Sequence, residues 1–370
     1  MSLEQLAARF DVPGRLVSIE PTGRGNVNDT YLAVFRTAFS ESRIIIQRVN
    51  KRVFPHPAWI MSNLRLVTEH IHRRIEREAR AADRIWQIPR VIPAKGGRDY
   101  FKDSAGDYWR GLSLIASAAS FDKVQGAEHA LEAGTVLGQF HRLVSDMKLA
   151  GLRDTLPGFH ETPGYLARYD KTCARKEAAK RLGTGLEARR LARFIEGRRA
   201  VADTLEAARR RGELVPRLIH GDPKVSNIMI DDVTGRGTSI VDLDTVKPGL
   251  THYDFGDALR SICNPAGEEA HDLAQVRFDT DLCEAFLKGY MPRAKDFLTE
   301  ADRRYLYDSI RLIAFELGLR FFEDFLAGNK YFKVASEDHN LRRARVQFRL
   351  CESIEAREKA IRAVLGRLSR

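Results

Sequence analysis

Cysteine is scarce in this 370-residue chain: Cys173, Cys263, Cys283 and Cys351 are scattered and none sits in a Cys-x-x-Cys pair. That spacing excludes a zinc ribbon and a disulfide framework and makes free thiols the expectation. No apolar run approaches the ~18 residues of a membrane span. The amino-terminal MSLEQLAARFDVPG carries acids where a signal sequence has its hydrophobic core, so a cytoplasmic protein without a membrane partner is expected. Internal repeats and low-complexity linkers are missing too. What remains, 44% hydrophobic and 30% charged residues, is the composition of a globular chain long enough for two lobes, each with its own core.

The net charge is +11. Between residues 171 and 211, 13 Lys and Arg oppose 5 Asp and Glu, an excess of 8 that carries most of the imbalance. The same segment spaces Leu191, Phe194, Ile195, Val201 and Leu205 at roughly helical intervals, so the arginines are expected to solvate the outer face of one docked helix. Aromatics are sparse there and no nucleic-acid module accompanies them. Nucleic acid is therefore not expected as a partner.

The stretch LIHGDPKVSNIMIDDVTGRGTSIVDLDT, residues 218–245, is the most informative. A histidine-led loop offers Asp222 and, five positions on, Asn227. An apolar strand and a Gly-rich turn then bring the chain back to Asp242. Phosphoryl transfer needs one carboxylate to take the acceptor's proton, plus an amide and a second carboxylate to hold Mg²⁺ against nucleotide phosphates. Asp222 and Asn227 meet the D-x-x-x-x-N spacing, and Lys224 stands where it can offset charge on the γ-phosphate. Asp231, Asp232, Gly235 and Gly237 read as turn formers only. The Asp254-Phe255-Gly256 triplet follows Asn227 by too much chain to be the metal strand. Asp254 or Asp257 is expected to cap a helix or brace the catalytic loop.

Upstream, residues 16–36 read as two strands around a turn in which Gly23, Gly25 and Asn26 supply backbone able to fold over phosphates. The strand RIIIQRV, residues 43–49, ends on a base. Arg48 is either a phosphate ligand or a solvated strand end, and arginine suits the first role through its paired N–H groups. A long helix follows, with Glu69 as a possible ion partner for Arg48. Short strands are expected over 88–116, and the run ASAASF reads as a flexible hinge. A core helix spans 128–147, with His141 structural. Thr299 and Asp302 form a capping-box pattern before a helix that is apolar on all sides, in which Glu316 and Arg320 are the charged pair. They make either an i,i+4 salt bridge or, because a buried guanidinium needs a partner, a substrate contact. One amphipathic helix is expected over 337–368.

HGDPKVSN followed by VDLDT resembles the aminoglycoside phosphotransferase and choline kinase branch of the protein-kinase-like fold. Within it, the order GNVNDTYL, IIQRVNKRVF, LPGFHETP, HGDPKVSNIMID, VDLDTVKPGL, LGLRFFEDFLAGNKYFK and HNLRRARVQFRL is similar to the N-acetylhexosamine 1-kinases. The resemblance implies an α+β, bilobal fold: an antiparallel sheet with one long helix over 1–115, binding nucleotide, and a larger helical lobe over 116–370 carrying a catalytic β-hairpin. It implies ATP and Mg²⁺ as cofactors, Asp222 as base, Asn227 and Asp242 as metal ligands, and Arg320 and Tyr331 as sugar contacts. With His160, these make an acceptor pocket of basic or neutral residues. The expected reaction is phosphorylation of the anomeric hydroxyl of GlcNAc or GalNAc. The alternatives are a kinase of an aminoglycoside or choline-like amino alcohol and, from another class, a nucleic-acid-binding protein. HGDPK in place of HNDTK, and the basic insertion, depart from the pattern; Gly221 and Pro223 change the loop's backbone and leave its ligands.

Overall fold

The computed structural model describes residues 1–23, 27–78 and 84–368. It opens on a short helix, α1 (Leu3–Ala7), whose first turn is closed by a Ser2–Gln5 capping box. Strands β1 (Arg15–Pro21), β2 (Asp29–Arg36) and β3 (Glu41–Val49) follow, then helix α2 (Pro57–Glu78), then β4 (Val91–Ile92), β5 (Phe101–Lys102) and β6 (Tyr108–Ser113). The six strands form one antiparallel sheet in the order β1-β2-β3-β6-β4, with β5 on β6. Alternation along the strands turns Ala33, Phe35, Ile44, Ile46 and Trp109 to one face, where Leu6, Ala7 and Phe10 cover them. The opposite face carries Gln47 and Arg110, cross-strand partners in register.

The run read as a flexible hinge is a short strand, β7 (Ala118–Ala119), paired with Ile230 and Asp231 of the hairpin further along the chain. Beyond it lie α3 (Ala127–Val144) and α4 (Thr162–Cys173). The basic segment is not one helix. It forms α5 (Lys176–Thr184), α6 (Leu186–Glu196), a 3₁₀ turn (Arg199–Asp203) and α7 (Thr204–Arg210), because Gly185 and Gly197 stand at the ends of its helical runs. Ala188, Leu191 and Ile195 are buried. Arg198 stacks 3.6 Å over Phe194 and pairs with Glu355, Arg199 with Asp170 and Glu196, and Arg209 with Glu161 and Glu206. These guanidinium groups are spent on the protein's own acids.

Strands β8 (Arg217–Ile219), β9 (Ile228–Asp231), β10 (Gly237–Ile240) and β11 (Lys247–Gly249) come next, followed by helices α8 (Thr251–Ile262), α9 (Thr280–Ala294), α10 (Glu300–Arg304), α11 (Leu306–Leu326), α12 (His339–Ala356) and α13 (Glu358–Leu368). The Thr299–Asp302 capping box forms as expected, but the helix it starts ends at Tyr305, where φ −98° and ψ 2° leave the helical region. The expected last helix is likewise broken at Arg357 (φ −109°). Helices α3 and α9 touch backbone to backbone. A Cβ at Gly134 would collide with the Phe286 carbonyl, and one at Gly289 with the Leu131 carbonyl. Helix α2 turns Met61, Leu64, Val67 and Ile71 into the same core as α3 and α11, so it fastens the sheet to the helical lobe. Among the described residues no helix is long and apolar enough to cross a membrane.

Candidate functional site

Two small ladders hold the site. β8 pairs with β11 and β9 with β10, so the connections 220–227 and 241–246 leave them side by side. The two loops are stitched together. Val241 N donates to Asn227 O (2.9 Å), the His220 ring bonds Val241 O (3.0 Å), and Thr245 Oγ1 donates to His220 O (2.8 Å). Gly221 takes φ +88°, and a Cβ there would lie 2.8 Å from Thr245. Only glycine fits both the conformation and the space.

Asp222 emerges from this loop half-buried. Lys224 Nζ reaches its carboxylate at 2.8 Å, and Asn227 Nδ2 donates to Asp222 O at 2.7 Å and to Oδ2 at 3.3 Å. Burial works to raise the pKa of Asp222, but the charge and hydrogen bond of Lys224 outweigh it and hold the group below its ordinary value. Lys224 is correspondingly raised, chiefly by Asp222. Asp242 lies across from them in the left-handed conformation (φ 64°, ψ 56°), a strained choice for a residue other than glycine. Its side chain is solvent-accessible. The protein packed around it, and then the charge of Asp244, push its pKa up to about 7, with Lys224 pulling the other way.

The brace under this loop comes from the triplet set aside as a metal strand. Asp254 accepts from His220 N (2.6 Å) and Gly221 N (2.7 Å), and from His141 Nε2 (2.8 Å), whose other nitrogen meets Tyr290 Oη at 3.0 Å. His141 is thus a satisfied core histidine. His160, placed in the acceptor pocket by sequence, is buried, with Nδ1 on Glu316 (2.9 Å) and Nε2 on Gly221 O (2.8 Å). Neither nitrogen is left for a ligand.

The sheet contributes differently from expectation. Arg48 shares the face of Ile44 and Ile46, away from the catalytic loops, and is held by Asp29 (2.8 Å) and Asp107 (3.4 Å) over the Trp109 ring. Glu69 pairs instead with Arg65 and Arg90. The guanidinium that meets the catalytic segment is Arg110, which sequence reading missed. It is buried against Asp244 and anchored by Gln47 Oε1 at 2.9 and 2.7 Å. Asn28, at the end of the β1–β2 turn, also donates to Asp244 (2.7 Å), while its oxygen takes Asn50 N (3.0 Å). Gly23 has φ +76° and open space around it. Gly25 and Asn26 lie outside the described residues.

On the other side of the loop, Arg320 makes no hydrogen bond or ion pair among the described residues. Glu316, its expected partner, is occupied by His160 and by Thr162 Oγ1 (2.7 Å). The Arg320 guanidinium lies instead over Phe159 (4.9 Å), Tyr165 (5.1 Å) and Phe332 (5.6 Å). Tyr331, 51% exposed, sits beside Phe332.

Could these residues hold magnesium? Among the described residues no group of three His, Cys, Asp or Glu is arranged to cage a metal. Mg²⁺ bound with nucleotide asks for less: one or two carboxylates, with phosphate and water completing the shell. Asp242 forms no hydrogen bond among the described residues. Asn227 spends its nitrogen on Asp222, leaving Oδ1 as the uncommitted end. The donor set fits.

Residues 62–296 match the sequence profile of the phosphotransferase enzyme family, APH. The chain belongs to that family. The matched stretch takes in most of α2, the connections 220–227 and 241–246 and α8, and it leaves out Arg320 and Tyr331. Among solved structures, this phosphotransferase is similar to a microcompartment-associated aminopropanol kinase (18% identity, 97% of each chain, TM-score 0.57). It is also similar to an aminoglycoside phosphotransferase from Alicyclobacillus acidocaldarius (15%, 100% of this chain and 97% of that one, TM-score 0.56). A spectinomycin phosphotransferase in complex with ADP and spectinomycin gives 13%, 96% and 98%, with TM-score 0.51. At these identities the likeness is one of fold.

Proposed function

We propose that this phosphotransferase moves the γ-phosphoryl group of ATP to a hydroxyl of a neutral sugar, the anomeric hydroxyl of an N-acetylhexosamine such as GlcNAc or GalNAc. The observation that carries the choice of acceptor is Arg320: a guanidinium whose N–H donors are unspent among the described residues, walled by Phe159, Tyr165 and Phe332. A charged donor in an aromatic box suits the carbonyl and hydroxyl oxygens and apolar ring faces of a sugar, and repels the ammonium of an amino alcohol or aminoglycoside. The similarity of LGLRFFEDFLAGNKYFK to the N-acetylhexosamine 1-kinases supports the same reading. The division at 115/116 into nucleotide-binding and acceptor-binding parts belongs to this proposal.

In the reaction the acceptor oxygen attacks the γ-phosphorus, the bond from that phosphorus to the bridging oxygen of ADP breaks, and the acceptor's proton passes to Asp222. Asp222 is held below the ordinary carboxylate range, so it is a weak base. Its contribution is to orient the hydroxyl and to take the proton late, which suits a loose transition state in which little nucleophile activation is needed. Lys224, tied to Asp222, sets a positive charge beside the transferring group. Mg²⁺ bound with the nucleotide would be held by Asn227 and Asp242 and would supply charge neutralisation on the phosphates.

The test is ATP consumption with GlcNAc, GalNAc, glucose, choline and kanamycin, with ³¹P NMR of the product. Turnover with the N-acetylhexosamines and a 1-phosphate product is expected. Preference for choline or kanamycin would overturn the acceptor reading.

A further inference from the structure

His160 joins the acceptor-side helix to the catalytic loop through its side chain. Its ring lies between Glu316 of α11 and the carbonyl of Gly221, immediately before Asp222, at 2.9 and 2.8 Å. A carbonyl only accepts, so Nε2 must carry a proton. Glu316 is fixed in turn by Thr162 Oγ1 at 2.7 Å. All three partners are shut away from solvent: His160 is 3% exposed, Glu316 1% and Thr162 0%. The Tyr253 ring stacks on the imidazole at 5.5 Å and Phe159 lies at 4.0 Å, so the ring is packed against two aromatic neighbours. The backbone there takes φ +66°, a left-handed value uncommon away from glycine, the kind of conformation that persists where its surroundings demand it.

We propose that His160 is a positioning residue: it sets the Gly221–Asp222 backbone from helix α11 through Glu316, so that the base and the acceptor-side wall carrying Arg320 are held as one unit. Asp254 grips the same loop from beneath through the amides of His220 and Gly221. His160 holds the carbonyl on the opposite edge of Gly221, and the peptide planes flanking that residue are thus clamped from two helices. Charge supports the arrangement. Burial disfavours the charged form of both partners, yet their mutual attraction raises His160 and lowers Glu316, which favours the ion pair. Arg320 stands one turn beyond Glu316 on α11. The inference takes Asp222 as the base from the proposed function, but not the identity of the acceptor.

The experiment compares His160→Asn with wild type. Asparagine tolerates positive φ, so the backbone is kept while the bridge is lost. With whichever acceptor the wild type phosphorylates fastest, kcat should fall about 10- to 100-fold, the scale of a small misplacement of reacting groups. KM for acceptor and for ATP should stay within about 2-fold, the pattern of a lost transition-state interaction. Hydrogen exchange without acceptor or nucleotide should quicken at Gly221 and Asp222 while α11 exchanges as before. Glu316→Gln, which keeps an oxygen for Thr162 and removes the charge, should give a smaller change of the same pattern, and it stands in if the first variant does not fold. A raised acceptor KM with kcat preserved would make His160 a direct contact and overturn the proposal. So would a uniform rise in exchange across α4, α11 and the loop with unchanged kcat per folded molecule. A wild type that prefers choline to any sugar would sink the acceptor reading and leave this comparison intact.

Discussion

Arg110 of β6 and Asp244 of the loop 241–246 form an ion pair whose side chains are only 2% and 3% exposed. It joins the sheet to the segment that follows the β9–β10 hairpin, and Asn28 reaches the same carboxylate from the β1–β2 turn. Asp244 is thus the point where the β1–β2 turn, the sheet and the segment carrying Asp242 are fastened together. Removing one partner strands a buried charge, at a cost of roughly 3–5 kcal/mol. Arg110→Met should therefore lower unfolding stability in denaturant by that order. A loss below about 1 kcal/mol would show that the pair holds nothing.

Asp222→Asn keeps the shape of the loop and removes the proton acceptor. The expected result is a kcat lowered by at least ~100-fold, the lower end of general-base effects, with nucleotide affinity retained in calorimetry. Near-normal turnover would take Asp222 out of the mechanism.

Asp242 has its pKa pushed up to about 7 by the protein around it and by Asp244. Below that pH it is protonated, and a cation must displace the proton; above it the carboxylate is ready. The sign is fixed: affinity for Mg²⁺-nucleotide rises with pH. A single group of this pKa gives about a tenfold gain between pH 6 and pH 8. Asp242→Ala should weaken binding and flatten the dependence. An unchanged pH profile in that variant would place the proton elsewhere.

Much of the site was legible because it is local. Asp222, Lys224 and Asn227 lie within six residues of chain, and one hairpin returns Asp242 to them, so spacing alone identifies the group. The Thr299–Asp302 cap was readable for the same reason. Arg110 was not, since its partner is distant in the chain and nothing in YWRGLS marks an arginine that will be buried. Arg48, at the end of RIIIQRV, reads from sequence as either a phosphate ligand or a solvated strand end. Three consecutive isoleucines hide the alternation, and register shows that Arg48 shares the face of Ile44 and Ile46. His160 looked like a pocket residue because sequence does not show that both its nitrogens would be taken. The helix breaks at Gly185, Gly197, Tyr305 and Arg357 fall inside continuous amphipathic patterns, where periodicity marks the buried face but not the point at which the chain turns.

Gly221→Ala tests the loop's backbone. The added methyl meets Thr245 at 2.8 Å in a left-handed conformation, so either the loop or Thr245 must move. A loss of about 1 kcal/mol or more in stability is expected from the conformation alone, together with reduced kcat. Unaltered activity would mean the loop tolerates displacement.

The central claim, that Arg320 recognises a sugar acceptor, rests on a guanidinium that meets aromatic rings and makes no hydrogen bond or ion pair among the described residues. The measurement is the pair of KM values, for GlcNAc and for MgATP, on Arg320→Met. A charge-assisted hydrogen bond contributes about 1.5–3 kcal/mol, so the GlcNAc KM should rise by ~10-fold or more while the MgATP KM stays within about 2-fold. A GlcNAc KM equal to that of the wild type, with only the melting temperature lowered, would contradict the account.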